Sequence, residues 1–188
     1  MMGTVYYIVP PVFGTMAQRK ETNMTTLPTA IAAIVATLAS KDPGAEEFLR
    51  NRGTEAAQAA IIASAGEHRF LGTDAAGRAA LLTAWSFYES RWDACAKGDS
   101  GRSLGIMQVN KIWMGSKHTS LICDLSGGFT AAVRILDVLT EQCTTPRGVL
   151  TAYSSGRCSS TKGVNAFVEQ RWAIAGLPAA ALDKPFTK

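Results

Sequence analysis

Between Ala79 and Tyr88 the chain reads Ala-Ala-Leu-Leu-Thr-Ala-Trp-Ser-Phe-Tyr, an almost unbroken apolar run that ends on Glu89 and Ser90. Helical spacing places Leu81, Trp85 and Tyr88 on one face and Leu82, Trp85 and Glu89 on a neighbouring one. The run predicts a helix whose last carboxylate leaves beside apolar side chains. Desolvation raises the pKa of such a group, and a carboxyl that keeps its proton is the raw material of a general acid.

The surroundings of this helix are also mainly α. Thr73 or Asp74 is placed to cap its start. Upstream, Asp42-Pro43 opens a helix through Arg50 that Gly53 closes, and Thr54-Glu55 opens an alanine-rich helix to about Ala65. Downstream, Arg91 to Ser103 turns polar and glycine-containing, as a loop or small hairpin does. Gly105 to Trp113 reads as a short helix, Phe129, Val133, Leu136 and Leu139 as the stripe of a longer one, and Val149 to Ser155 as another. Val164, Phe167, Val168, Arg171 and Trp172 mark a last helix, closed by Gly176 and Pro178.

The N-terminus has two readings. Val5 to Val9 is a candidate strand before Pro10-Pro11. Leu27 to Ser40 is either an amphipathic first helix or an export segment following Arg19 and Lys20. It is too short for a membrane span, which takes about 20 apolar residues.

A hydrophobic share of 47% against 18% charged residues fits a packed domain and excludes bulk disorder. The net charge of +4 favours an anionic polymer as partner. Without a dense Lys/Arg patch interleaved with aromatics, a nucleic-acid partner is not expected. The four cysteines, Cys95, Cys123, Cys143 and Cys158, form no CxxC, and only His68 and His118 are at hand to help them. We therefore expect no metal and no cofactor, and two disulfides of open connectivity made in an oxidising compartment.

Three segments carry the chemistry: Glu89-Ser90-Arg91-Trp92-Asp93, Ser103-Leu104-Gly105-Ile106-Met107-Gln108 and Ala152-Tyr153-Ser154-Ser155-Gly156. Each alone has a plain explanation: a solvated helix-end charge for the first, core packing for the other two. In this order and spacing they resemble the lytic transglycosylase branch of the lysozyme-like superfamily. The resemblance covers roughly residues 75–175 and leaves residues 1–70 unexplained. It implies a lysozyme-like α fold with a small β or loop insert and a substrate groove. The domain would span 41–188, with 1–40 as an N-terminal extension or possible export segment.

The same resemblance implies roles. Glu89 would be the catalytic acid, cleaving the β-1,4 bond between N-acetylmuramic acid and N-acetylglucosamine and then serving as base to form a 1,6-anhydro product. Ser90, Gly105, Met107, Gln108, Tyr153 and Ser154 would contact the substrate or hold the glutamate. Ser154 stands where the family has Asn, a shorter side chain with one hydrogen bond fewer to offer. The partner would be peptidoglycan strands, met by a monomer that is secreted, periplasmic or phage-associated.

Asp93 and Asp99 are the nearby carboxylates that bear on a hydrolytic alternative of goose-type lysozyme kind. Asp93 reads as a loop brace. Asp99, in Gly98-Asp99-Ser100-Gly101, reads as a turn residue. If Asp99 faces the groove, the hydrolytic reading gains ground. Chitin as substrate, and a weakly catalytic wall-binding module of a secretion or virion machine, are the remaining alternatives.

Overall fold

A computed structural model describes residues 27–68, 70, 73–159 and 162–186. The candidate strand at Val5 to Val9 lies outside them. The elements run α1 (Thr29–Ala39), α2 (Glu46–Ser64), α3 (Ala75–Ser90), β1 (Lys97–Gly98), β2 (Ser103–Leu104), β3 (Val109–Asn110), α4 (Lys111–Met114), α5 (Leu125–Gln142), α6 (Pro146–Ser155), α7 (Lys162–Ile174) and α8 (Ala179–Leu182). Short 3-10 turns cover Asp99–Gly101 and Gly115–Leu121. The protein is mainly helical, as its apolar spacing predicts.

Helix α3 is the axis of the fold. Asp74 caps it by accepting the Gly77 amide at 2.7 Å, and every residue from Arg78 to Phe87 is buried. A helix apolar on all sides must be enclosed by others. Helices α1 and α2 pack on one side and α7 on another, while Leu81, Leu82 and Trp85 face Met107, Leu136 of α5 and Leu150 of α6. Its buried hydroxyls are satisfied internally. Thr83 donates to the Ala79 carbonyl and Ser86 to that of Thr83.

Residues 27–40, with their two sequence readings, contain a packed helix. Ile31, Ile34, Val35, Leu38 and Ala39 repeat at helical intervals and are all buried in the core. Helix α1 lies before residue 41 and packs into the same core as the helices that follow it.

Two local expectations fail for physical reasons. Gly53 does not close a helix: α2 runs through it without interruption. A Cβ there would lie 2.6 Å from the Trp92 ring and 2.8 Å from Val35, so the glycine serves close approach and not termination. Nor is Gly105 to Trp113 a helix. Gly105 (φ +75°) and Gln108 (φ +47°) take left-handed backbone, making a turn that feeds β3, and helix begins only at Lys111. The polar insert after Glu89 is the expected hairpin, extended to three antiparallel strands in the order β1-β2-β3, with Gly98 opposite Ser103 and Ser103 opposite Asn110.

Both disulfides form, Cys95–Cys123 and Cys143–Cys158, and no cysteine is free. They agree with an oxidising environment. Among the described residues, no helix is long and apolar enough to cross a membrane.

Candidate active site

Helix α3 stops one residue after Glu89 because the chain turns sharply there. Arg91 (φ +54°) and Trp92 (φ +60°) are both left-handed, a costly conformation for side chains of their size. Burial of Trp92 offsets that cost. It is 2% exposed, stacks edgewise on Phe87 at 4.9 Å, fills the notch at Gly53, and donates its indole N–H to the Thr83 carbonyl at 2.9 Å. Glu89 is left half-buried on the final helical turn, where it lines a cavity of about 640 Å³. That volume suits a small ligand or a few sugar units.

Two segments supply most of the rest of the lining. From the insert come Asp99, Ser103, Gln108, Val109, Asn110 and Trp113. From α6 and its end come Ala152, Tyr153, Ser154, Ser155 and Gly156, with Val164 and Phe167 of α7 adjoining. Each segment lies wholly within one disulfide loop, 95–123 or 143–158.

The expected site residues divide in two. Glu89, Gln108, Tyr153 and Ser154 line the cavity. Ser90, Gly105 and Met107 lie behind it and shape its wall. Ser90 donates its hydroxyl to the Ser86 and Ile106 carbonyls at 3.1 and 2.8 Å, joining the helix end to the turn. A Cβ on Gly105 would meet the Leu121 carbonyl oxygen at 2.8 Å. Met107 is 1% exposed, and its carbonyl accepts the Tyr153 hydroxyl at 2.8 Å. Gln108 itself is braced, its amide donating to the carbonyls of Gly105 at 2.8 Å and Ala96 at 3.3 Å.

Asp93 braces its loop, accepting the Cys95 amide at 3.0 Å and pairing with Arg52 at 3.6 Å. Asp99 is both turn residue and cavity residue. It accepts the Ser103 hydroxyl at 2.6 Å and faces the same cavity as Glu89.

Electrostatics single out Glu89. Burial raises its pKa above the ordinary carboxylate value, Arg171 and then the Trp85 indole pull it back, and Asp99 pushes it up again. Desolvation prevails. Tyr153 is driven well above the usual phenol range, first by burial and then by the Glu89 charge, so it remains a neutral hydroxyl. Arg171 is 2% exposed, and burial lowers its pKa to about 10. Sequence reasoning placed Arg171 on an apolar helical stripe and gave it no role. A cation in that stripe was the available signal. Among the described residues no cluster of His, Cys, Asp and Glu is arranged to hold a metal ion.

No protein-family model, no curated protein and no solved structure matches this chain. What the site can do is therefore argued from its own geometry. It lines one cleft with a carboxyl whose pKa burial raises, a second, exposed carboxylate, a braced amide and a neutral phenol.

Proposed function

We propose that the chain is a peptidoglycan-cleaving enzyme of lysozyme-like fold with Glu89 as its catalytic acid. The observation that carries this reading is the half-buried Glu89 carboxyl, its pKa raised by burial, sharing one cavity with Gln108, Tyr153 and Ser154. These side chains belong to the three segments that resemble lytic transglycosylases.

In the proposed reaction Glu89 gives its proton to the glycosidic oxygen as the bond from the muramic acid C1 breaks. The leaving N-acetylglucosamine gains a 4-hydroxyl. The 6-hydroxyl of the muramic sugar then attacks C1 and returns its proton to Glu89, so no water is consumed and a 1,6-anhydro ring results. Exchanging Glu89 for glutamine keeps the shape and removes the proton. Turnover of purified peptidoglycan by Glu89→Gln should fall by about 10²–10⁴-fold. Turnover at the wild-type rate would overturn the assignment.

Asp99 favours a second reading, hydrolysis. It lines the cavity from the insert, where a carboxylate can activate water. Mass spectrometry of the released muropeptides separates the two outcomes, because anhydro products are lighter by one water than hydrolysed ones.

A further inference from the structure

Two buried N–H groups have no hydrogen-bond partner among the described residues: Nε1 of Trp85, on the helix that carries Glu89, and Nε of Arg171, whose charge acts on the Glu89 carboxyl. Buried donors are rarely left in this state, because an unmade hydrogen bond carries its full desolvation penalty. Their position gives the reason. Trp85 lies one helical turn before Glu89 on the same face of α3. Its indole approaches the carboxylate closely enough to favour the ionised form, though short of a formed hydrogen bond.

Arg171 comes from α7 and lies over the rings of Tyr88 at 4.4 Å and Trp85 at 5.3 Å, and against that of Phe167. One Nη donates to the Phe167 carbonyl at 3.0 Å. Phe167 lines the same cavity as Glu89. A guanidinium clamped among aromatic faces retains its charge at low reorganisation cost.

We propose that Trp85 and Arg171 are positioning residues whose vacant N–H groups receive the Glu89 carboxylate at the moment it gives up its proton. The inference rests on Glu89 being the acid. A neutral carboxyl is the weaker acceptor, and in the structure neither donor is paired. Once the proton passes to the glycosidic oxygen, the new carboxylate gains an aromatic-walled cation and an indole donor. It is held there until the incoming hydroxyl returns a proton. The step creates no bond to either residue. The other titratable groups facing Glu89 are Asp99 from the insert, which opposes its ionisation, and Tyr153 from α6, whose hydroxyl is committed to Met107.

The test titrates Glu89 directly, with ¹³C-carboxyl NMR on the full chain, in the wild type and in Trp85→Phe, Arg171→Met and Arg171→Lys. Trp85→Phe keeps the ring packing and serves if Arg171→Met fails to fold. The expected result is a Glu89 midpoint displaced to higher pH in Trp85→Phe and further in Arg171→Met, with Arg171→Lys near the wild type. On peptidoglycan fragments kcat should fall about ten- to a hundredfold in Arg171→Met, the size of one charge-assisted hydrogen bond, with KM kept. The alkaline limb of the pH profile should move upward in step. An unmoved midpoint in both Trp85→Phe and Arg171→Met overturns the proposal whatever the activity. Full activity of Glu89→Gln overturns instead the acid assignment on which it rests, and the NMR titration tells the two failures apart.

Discussion

The two walls of the cavity are built on opposite plans. The α6 wall is a regular helix with conventional ends: Thr145 accepts the Gly148 amide at 3.1 Å, Pro146 sits in the first turn, and Gly156 closes it at φ +77°. Val149, Leu150 and Ala152 anchor it in the core. The insert wall has strands of two residues each and left-handed backbone at Asp99, Ser100, Gly105, Gln108 and Cys123. It is held by lacing. Gly105 N–H donates to the Ala96 carbonyl, Cys123 N–H to that of Ala94, and buried His118 donates Nε2–H to that of Val109. Both walls carry buried apolar residues and a disulfide. One has a continuous helix to keep its shape, whereas the other, with Ile106, Met107 and Val109 in the core, holds its left-handed turns by polar links and its covalent bond. The helical wall should therefore tolerate loss of its disulfide with function intact, while the laced wall should not.

The largest expected effect lies where the laced wall joins the helical scaffold. Trp92→Ala empties the notch at Gly53 and releases two left-handed residues, and should cost about 3–5 kcal/mol in a denaturant titration. A loss under about 1 kcal/mol would mean the insert is anchored elsewhere.

Removing the disulfides one at a time sharpens the contrast. Replacing either cysteine pair with serine should cost about 3–4 kcal/mol, the loop-closure figure for separations of 28 and 15 residues. The Cys95/Cys123 double variant alone should also lose affinity for peptidoglycan in a pelleting assay. Equal affinity losses in both variants would erase the distinction between the walls.

Gly105→Ala comes next. It sets a Cβ against the Leu121 carbonyl in a left-handed residue, and a melting curve should register about 1–3 kcal/mol.

The smallest effect concerns Glu89 and has a definite sign. Its folded pKa is raised, so its contribution to stability is full below the unfolded carboxyl value and is lost as pH rises through the folded one. Glu89→Gln should therefore be more stable than the wild type at neutral pH and no more stable in acid. Melting curves at the two pH values check this, and a destabilised variant at neutral pH would show that Arg171 needs the carboxylate as counter-ion.

The contrast between the walls also explains how far the sequence could be read. The helical parts were legible because their apolar residues recur at the helical period, in α3, α5 and α7 alike. The Glu89 neighbourhood was legible for the same reason: its greasy approach is written in consecutive residues. Gly53 was misread because a glycine between polar residues signals a stop, and nothing local reveals that Trp92, 39 positions later, needs the space. Gly105–Trp113 was misread because Ile106 and Met107 look like helix core, whereas burial there is met by a turn seated against Gly128 of α5. Ser90 and Gly105 were expected to contact the substrate or hold the glutamate; their tertiary contacts, Ser90 to the Ile106 carbonyl and Gly105 against the Leu121 carbonyl, are not written in the neighbouring residues. Arg171 showed no role in the sequence because Trp85, Tyr88 and Glu89, the groups it acts on beyond its own helix, lie on α3.

The cysteines pair in the simplest of their three possible orders, first with second and third with fourth. The two rings are consecutive, neither nested nor interlocked. In a chain lengthening from its N-terminus, each correct partner is the next cysteine to appear. Emergence order and native order coincide, so this cleft can be stapled in sequence without an isomerase having to undo an earlier bond.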